Sequence, residues 1–152
     1  MIRLVINRET QCRLSDGFIS KTAAAAAKLE KKLRGEAEVN IIGDAAMKKL
    51  NYRWRGRNVV TDVLAFAWQE EKKIKGETFG QIYLSPARIK RQAKECGVLE
   101  KEEFARVLVH GLLHLAGYDH IAKKEAKIMF GLQERIVCLS VSQKASRPRA
   151  AD

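Results

Sequence analysis

Cysteine is scarce in this chain. There are three in 152 residues, Cys12, Cys96 and Cys138. The number is odd, the residues stand far apart, and no CxxC spacing occurs, so neither a disulfide framework nor a cysteine zinc site is expected; a reducing cytoplasm fits best. No run of about 18 apolar residues occurs, which argues against a transmembrane helix. The opening MIRLVINRET alternates in character and has no long apolar stretch before a small-residue cleavage site. It reads as a first strand and not as a signal peptide. Acidic residues are outnumbered, 18 Asp and Glu against 29 Lys and Arg, for a formal net charge of +11. Such an excess favours a polyanionic partner, with nucleic acid first and an anionic membrane surface second. Histidine is equally sparse. The three, His110, His114 and His120, all fall within eleven consecutive positions.

What is present is the material of one domain. The apolar fraction of 46% suffices for one sizeable core. Strands are expected at residues 2–7, 39–42, 63–68 and 80–85. Helices are expected over 17–34, ended by Gly35; over 44–54, capped by Asp44; from Pro86 to near Gly97; over 101–115, broken by Gly117; and over 123–139. Residues 69–78 are charged, contain Gly76, and read as a mobile hairpin loop. From Ser140 the chain is polar and basic and includes Pro148. Residues 1–139 are therefore taken as the domain and 140–152 as a basic, disordered tail. No repeat or domain linker is visible. The order of elements gives an α+β fold, with about five helices on a four-stranded mixed sheet.

The histidines lie in VLVHGLLHLAGYDH, residues 107–120. A helix that is apolar all round is buried. His110 and His114, at i and i+4, lie on one face of it. Two adjacent buried imidazoles need partners, because an unsatisfied buried polar group costs about 1–3 kcal/mol. A single histidine there would read as a core residue bonded to a carbonyl. Three of them around a helix-ending glycine favour metal ligation, with Gly117 letting the chain turn so that His120 returns to the same point. A three-imidazole zinc site leaves a fourth position for water, whose pKa the metal can bring to about 7. The spacing also matches the protease pattern HExxHxxGxxH. Here Gly111 stands in place of the glutamate that would be the general base, so peptide hydrolysis by that route lacks its proton acceptor. Gly111 costs about 1 kcal/mol against Ala in mid-helix, and close approach of another backbone is the expected reason.

HGLLHLAGYDH resembles HGxLHLxGYDH, the signature of the YbeY family of bacterial rRNA maturation factors. LNYRWRGRNVVTDVLAF, residues 50–66, is similar to that family's LNxxYRxxxxPTDVLSF, and GQIYLS, residues 80–85, to GDIxIS. The chain departs from these patterns at Trp54, Val60, Ala65, Ala67 and Gln81. The resemblance implies a zincin-like α+β fold and one Zn²⁺ per chain on His110, His114 and His120. It implies metal-dependent, single-strand endoribonuclease activity in rRNA maturation, notably at the 3′ end of 16S rRNA, and in ribosome quality control. RNA, ribosomal particles and ribosome-associated proteins would be the partners, in the cytoplasm, with no membrane and no nucleotide cofactor.

Arg53, Arg55 and Arg57 alternate before the third strand. Arginine binds phosphate bidentately and stays charged, although a solvated basic loop would look the same. The family segment singles out Arg55 as a functional, catalytic residue and leaves Arg53 and Arg57 as candidate substrate contacts. Trp54, Trp68 and Tyr83 can stack on bases, but core packing is the simpler expectation. Lys28, Lys31, Lys32 and Arg34 fit the cation preference of a helix C-terminus. Asp119 either orients a ligand or caps the last helix. Two rival readings stand beside the endoribonuclease: a small metallopeptidase, weakened by Gly111 and the basic charge, and a non-catalytic RNA-binding module with a structural zinc, which a fourth protein ligand would favour.

Overall fold

A computed structural model of the chain describes residues 1–67 and 78–149. Trp68 and the expected loop over 69–78, apart from its last residue, lie outside them. The order is β1 (Ile2–Arg8), α1 (Asp16–Leu29), β2 (Gly35–Ile41), α2 (Asp44–Arg55), β3 (Val63–Ala67), β4 (Thr78–Leu84), α3 (Pro86–Cys96), α4 (Glu100–Leu115) and α5 (Lys123–Arg149). The strands form one sheet in the order β1-β2-β4-β3. β1 and β4 run parallel to β2, and β3 runs antiparallel to β4. The mixed four-stranded sheet with five helices is the α+β domain expected. Among the described residues no helix is long and apolar enough to cross a membrane.

Local chemistry accounts for most of these elements. Along β1 the side chains alternate, with Ile2, Leu4 and Ile6 turned to the core and Arg3 and Val5 outward. Ser15 caps α1 by accepting from the Phe18 N–H at 3.1 Å. The small Ala23 and Ala26 on the inner face of α1 let it approach α4 and α5 closely. Pro86 starts α3, where its missing N–H costs nothing. The central strand β2 buries Ala37, Val39 and Ile41.

The position of α4 matters most for function. It packs on β3 and β4 and is flanked by α1, α3 and α5. Phe104, Leu108, Leu112 and Leu113 are all within 1% of complete burial. The helix is apolar all round because the protein surrounds it, so its two histidines project from the middle of the domain rather than from its surface.

Several expectations are corrected. The first helix ends at Leu29, well short of Gly35, because the next residue, Glu30, turns inward: its carboxylate accepts from the Lys32 N–H (2.8 Å) and from Tyr118 (2.5 Å). Asp44 does not cap α2. The cap is Gly43, and Asp44 is the first helical residue. Its carboxylate is taken by the Ser85 hydroxyl and the Arg91 guanidinium, both at 2.9 Å. The last helix continues past Leu139 to Arg149. SVSQKASR contains no helix breaker before Pro148, and buried Ser140 donates its hydroxyl proton to the Ile136 carbonyl at 2.9 Å, so nothing stops the helix at 140. Gly111 is approached by side chains and not by a backbone. A Cβ there would lie 3.2 Å from Val63 Cγ2 and 3.3 Å from Ile82 Cγ2. Position 111 thus backs onto β3 and β4, where a glutamate would be forced into the sheet.

Asp44 provides a test of which contact holds α2 against α3. Burial pushes its carboxyl up, and the bonds from Arg91 and Ser85 outweigh this and hold it below the ordinary range. Ser85 is fully buried, whereas the Arg91 side chain is 49% exposed. An exposed ion pair contributes at most about 1 kcal/mol; an orphaned buried hydroxyl costs about 1–3 kcal/mol. Asp44→Ala is therefore expected to destabilise the protein more than Arg91→Ala does. Urea unfolding of the two variants checks this, and equal losses would mean the Ser85 bond contributes nothing.

Candidate metal centre

One turn of α4 separates His110 from His114, and their Nε2 atoms approach to 3.2 Å. After Leu115 the chain leaves the helix through Gly117 at φ 102°, a conformation that suits glycine. The Gly117 and Tyr118 N–H groups bond back to the His114 and Leu113 carbonyls, each at 3.0 Å. Asp119 then accepts from the Ile121 N–H at 3.0 Å, closing the bend that presents His120. Asp119 therefore shapes the turn; it neither bonds a histidine nor caps α5. The ring of His120 arrives 5.3 Å from that of His110 and 5.1 Å from that of His114, centre to centre. One ring nitrogen from each of the three lies within 4.8 Å of the others.

The far side of each helix-borne ring decides what faces inward. His114 Nδ1 lies 3.0 Å from the Tyr118 carbonyl oxygen, which can only accept, so Nδ1 carries the proton. His110 Nδ1 lies 2.8 Å from Gln133 Oε1, again an acceptor. Both Nε2 atoms therefore turn lone pairs toward each other. Two lone pairs at 3.2 Å repel unless a cation sits between them. Burial first, then the charges of His110 and His120, hold the His114 pKa below the ordinary imidazole value, so that ring resists supplying the cation as a proton. Neutral imidazoles with anchored Nδ1–H groups are the donor set of a zinc-type ion. The residues present fit such an ion, and among the described residues no cysteine or carboxylate joins the three histidines as a further ligand.

The histidines line a cleft of about 350 Å³ together with Arg55, Asp62, Val63, Glu103, Arg106 and Gln133. Arg55 is the last residue of α2 and is exposed, with no ion pair to a described carboxylate. Arg53 and Arg57 are also exposed but do not line the cleft. The three arginines do not alternate along an extended loop, because α2 runs on through Arg55. Arg106 was not singled out by sequence. Its guanidinium bonds Glu134 (2.8 and 3.0 Å), Glu103 (3.0 Å) and Glu102 (2.9 Å), and these bonds, that to Glu134 foremost, raise its pKa. It is already neutralised and is a structural cation. Gln92 bridges the two cleft carboxylates, Asp62 at 3.0 Å and Glu103 at 2.8 Å.

Aromatic rings stand near the rim. Phe130, 42% exposed, lies nearly parallel to His110 with centroids 5.9 Å apart. Trp54 is 62% exposed and rests against Phe66, so it is not the core residue expected, whereas Tyr83 is partly buried against the same ring. Lys32 sits over the Tyr118 ring at 5.8 Å, which gives one member of that lysine cluster a contact beyond the helix end.

Comparison with known proteins comes to the same region. The family model for Endoribonuclease YbeY matches residues 6–139. The endoribonuclease YbeY of Persephonella marina is 38% identical over 144 residues, covering 90% of this chain and 91% of that protein. Its counterpart in Sulfurihydrogenibium sp. is 41% identical over 102 residues, 66% of this chain and 67% of that one. The solution structure of a Thermotoga maritima protein superposes with a TM-score of 0.67 at 29% identity, covering 97% of this chain and 94% of that chain.

The bond between Glu30 and Tyr118 ties the histidine-bearing turn to the end of α1 across 88 positions. Burial pushes the Glu30 carboxyl up; the bonds from Tyr118 and the Lys32 N–H outweigh it and hold the pKa below its usual 4.5. A depressed carboxylate pKa contributes stability that is complete above the unfolded value and fades as pH falls through the folded one. Tyr118→Phe keeps the backbone carbonyl that anchors His114 but removes a hydrogen bond to a charged group, a loss of about 1.5–3 kcal/mol. The gap from wild type is expected to be full above about pH 4.5 and to narrow in more acid solution, as read by urea unfolding across that range. A gap that does not change with pH would mean that the hydroxyl does not serve the carboxylate.

Proposed function

The chain belongs to the Endoribonuclease YbeY family, and on that premise we propose that it is a zinc-dependent endoribonuclease that cuts single-stranded RNA. The observation that carries this reading is the pair of inward-facing imidazole lone pairs at 3.2 Å, each fixed from behind, with His120 beside them. His110, His114 and His120 hold the ion, one per chain. When bound, it supplies a Lewis acid for a phosphoryl oxygen and lowers the pKa of a water it holds. Arg55, on the cleft wall and uncommitted among the described residues, receives the phosphate bidentately and steadies the charge that develops on it. Arg53 and Arg57, outside the cleft, meet flanking phosphates. The net charge of +11 suits a polyanion.

The cleft also argues against peptide hydrolysis. The position that would hold a protease glutamate is Gly111, packed on Val63 and Ile82. Asp62 and Glu103, the carboxylates lining the cleft, are both bound by Gln92, and Glu103 is paired with Arg106 as well. In the cell we place the activity in the cytoplasm, in rRNA maturation, notably at the 3′ end of 16S rRNA, and in ribosome quality control. Ribosomal particles or their associated proteins would present the substrate.

The test joins metal content to cleavage. Purified protein is expected to hold one zinc, to cut a single-stranded RNA and not an unstructured peptide, and to stop when chelated. His114→Ala should lose most of the zinc and the cleavage together. Arg55→Lys should keep zinc and fold but lose cleavage by about 10²-fold, since a point charge cannot replace a planar fork. Stoichiometric zinc in His114→Ala, or wild-type cleavage by Arg55→Lys, would overturn the corresponding assignment.

A further inference from the structure

The two helix-borne histidines are anchored differently. The acceptor behind His114 is a main-chain carbonyl, which no side-chain substitution at Tyr118 removes. The acceptor behind His110 is a side chain, Gln133 Oε1, contributed by α5 and only 5% exposed, so bulk water cannot take its place. An amide can present either of its ends, and here the choice is made on its other side. Gln133 Nε2 donates to Glu134 Oε2 at 3.3 Å. Glu134 is in turn clamped by the Arg106 Nε and Nη2 groups at 2.8 and 3.0 Å. With Nε2 committed to a carboxylate, only Oε1 can face the imidazole.

We infer that Gln133 is a positioning residue of the metal centre, holding His110 in the tautomer that ligates, and that Glu134 and Arg106 keep its amide the right way round. The inference deepens the metal-dependent reading above and rests on it. Its physical content is a choice between two states. With Oε1 toward the ring, the proton stays on Nδ1 and the Nε2 lone pair faces His114 and His120. With the amide reversed, an N–H would point at Nδ1, the ring proton would move to Nε2, and that nitrogen would aim a hydrogen at the ion position. The neutral amide sets the tautomer without adding charge to the centre. Partners of this kind, bonded to the far nitrogen of a ligating histidine, are worth about 10- to 100-fold in metal affinity.

Zinc affinity of the purified full-length chain, measured by competition with a chromophoric chelator at fixed pH, tests this without reference to cleavage. Thermal melting of the metal-free proteins runs beside it to confirm the fold. Gln133→Leu keeps the shape and removes the acceptor, and should weaken zinc binding about 10- to 100-fold. Gln133→Glu restores an acceptor at the same reach and should bind at least as tightly as wild type. Glu134→Ala, on a side chain that is 51% exposed, should lose less than Gln133→Leu, because water can partly replace it, and Glu134→Gln should recover the loss. Gln133→Leu binding zinc within twofold of wild type would overturn the inference. So would Gln133→Glu failing as badly as Gln133→Leu, because the site would then be responding to packing alone. A wild-type chain with no measurable zinc affinity would overturn the metal reading, and this inference with it; a wild type that binds beside unaffected variants overturns this inference only.

Discussion

Two imidazole nitrogens held 3.2 Å apart on one helical turn set the terms for the rest of this structure. Left alone, the arrangement is unfavourable, because both Nδ1 atoms are bonded to acceptors and both Nε2 lone pairs face the same space. The fold maintains it from several directions. The sheet and three helices bury α4 and fix the height and rotation of both rings. The exit turn at Gly117 brings the Tyr118 carbonyl behind His114 and swings His120 alongside. α5 brings Gln133 behind His110. A cation relieves the repulsion, so the geometry is a metal-ready state that the apolar core holds in place.

The distribution of charge follows a similar logic. The chain is strongly basic, yet the arginine deepest in the cleft region, Arg106, is surrounded by Glu102, Glu103 and Glu134 and is not available to a substrate phosphate. Arg55, which has no carboxylate partner among the described residues, is the cleft arginine left to meet one. Counting arginines along the sequence would have ranked the two alike. Their difference lies in what stands opposite each side chain, and that is a property of the packing of α4 against α5 and of α2 beside β3.

Glycine 111 joins the fold to the function. It occupies the position of a catalytic glutamate in a familiar zinc motif, and it lies against Val63 and Ile82. The close seating of α4 on β3 and β4 buries the histidine-bearing turn, and the same seating removes the room a glutamate would need. The cage of three histidines and the absence of a protease base are two consequences of one packing arrangement.

The sequence by itself determined what depends on short spacings. His110, His114, Gly117 and His120 lie within one helix and its exit turn, so periodicity and one glycine suffice to bring them together, and the family signature rests on the same residues. The four strands, the five helices and the mixed sheet followed from apolar runs and helix stops, which are local as well. Tertiary structure decided whatever couples distant parts of the chain. Glu30 reaches Tyr118 across 88 positions, and Gln133 comes to His110 from the next helix. Asp44 reads as a helix cap by local rules, but Ser85 and Arg91 claim its carboxylate from another element. Ser140 reads as the start of a tail, yet its burial and its bond to Ile136 carry the helix onward. A glutamine or glutamate on an amphipathic helix looks like any solvated residue until the helix docks. Which partner meets it is set by the rotation and register of packed elements, and local sequence does not encode these.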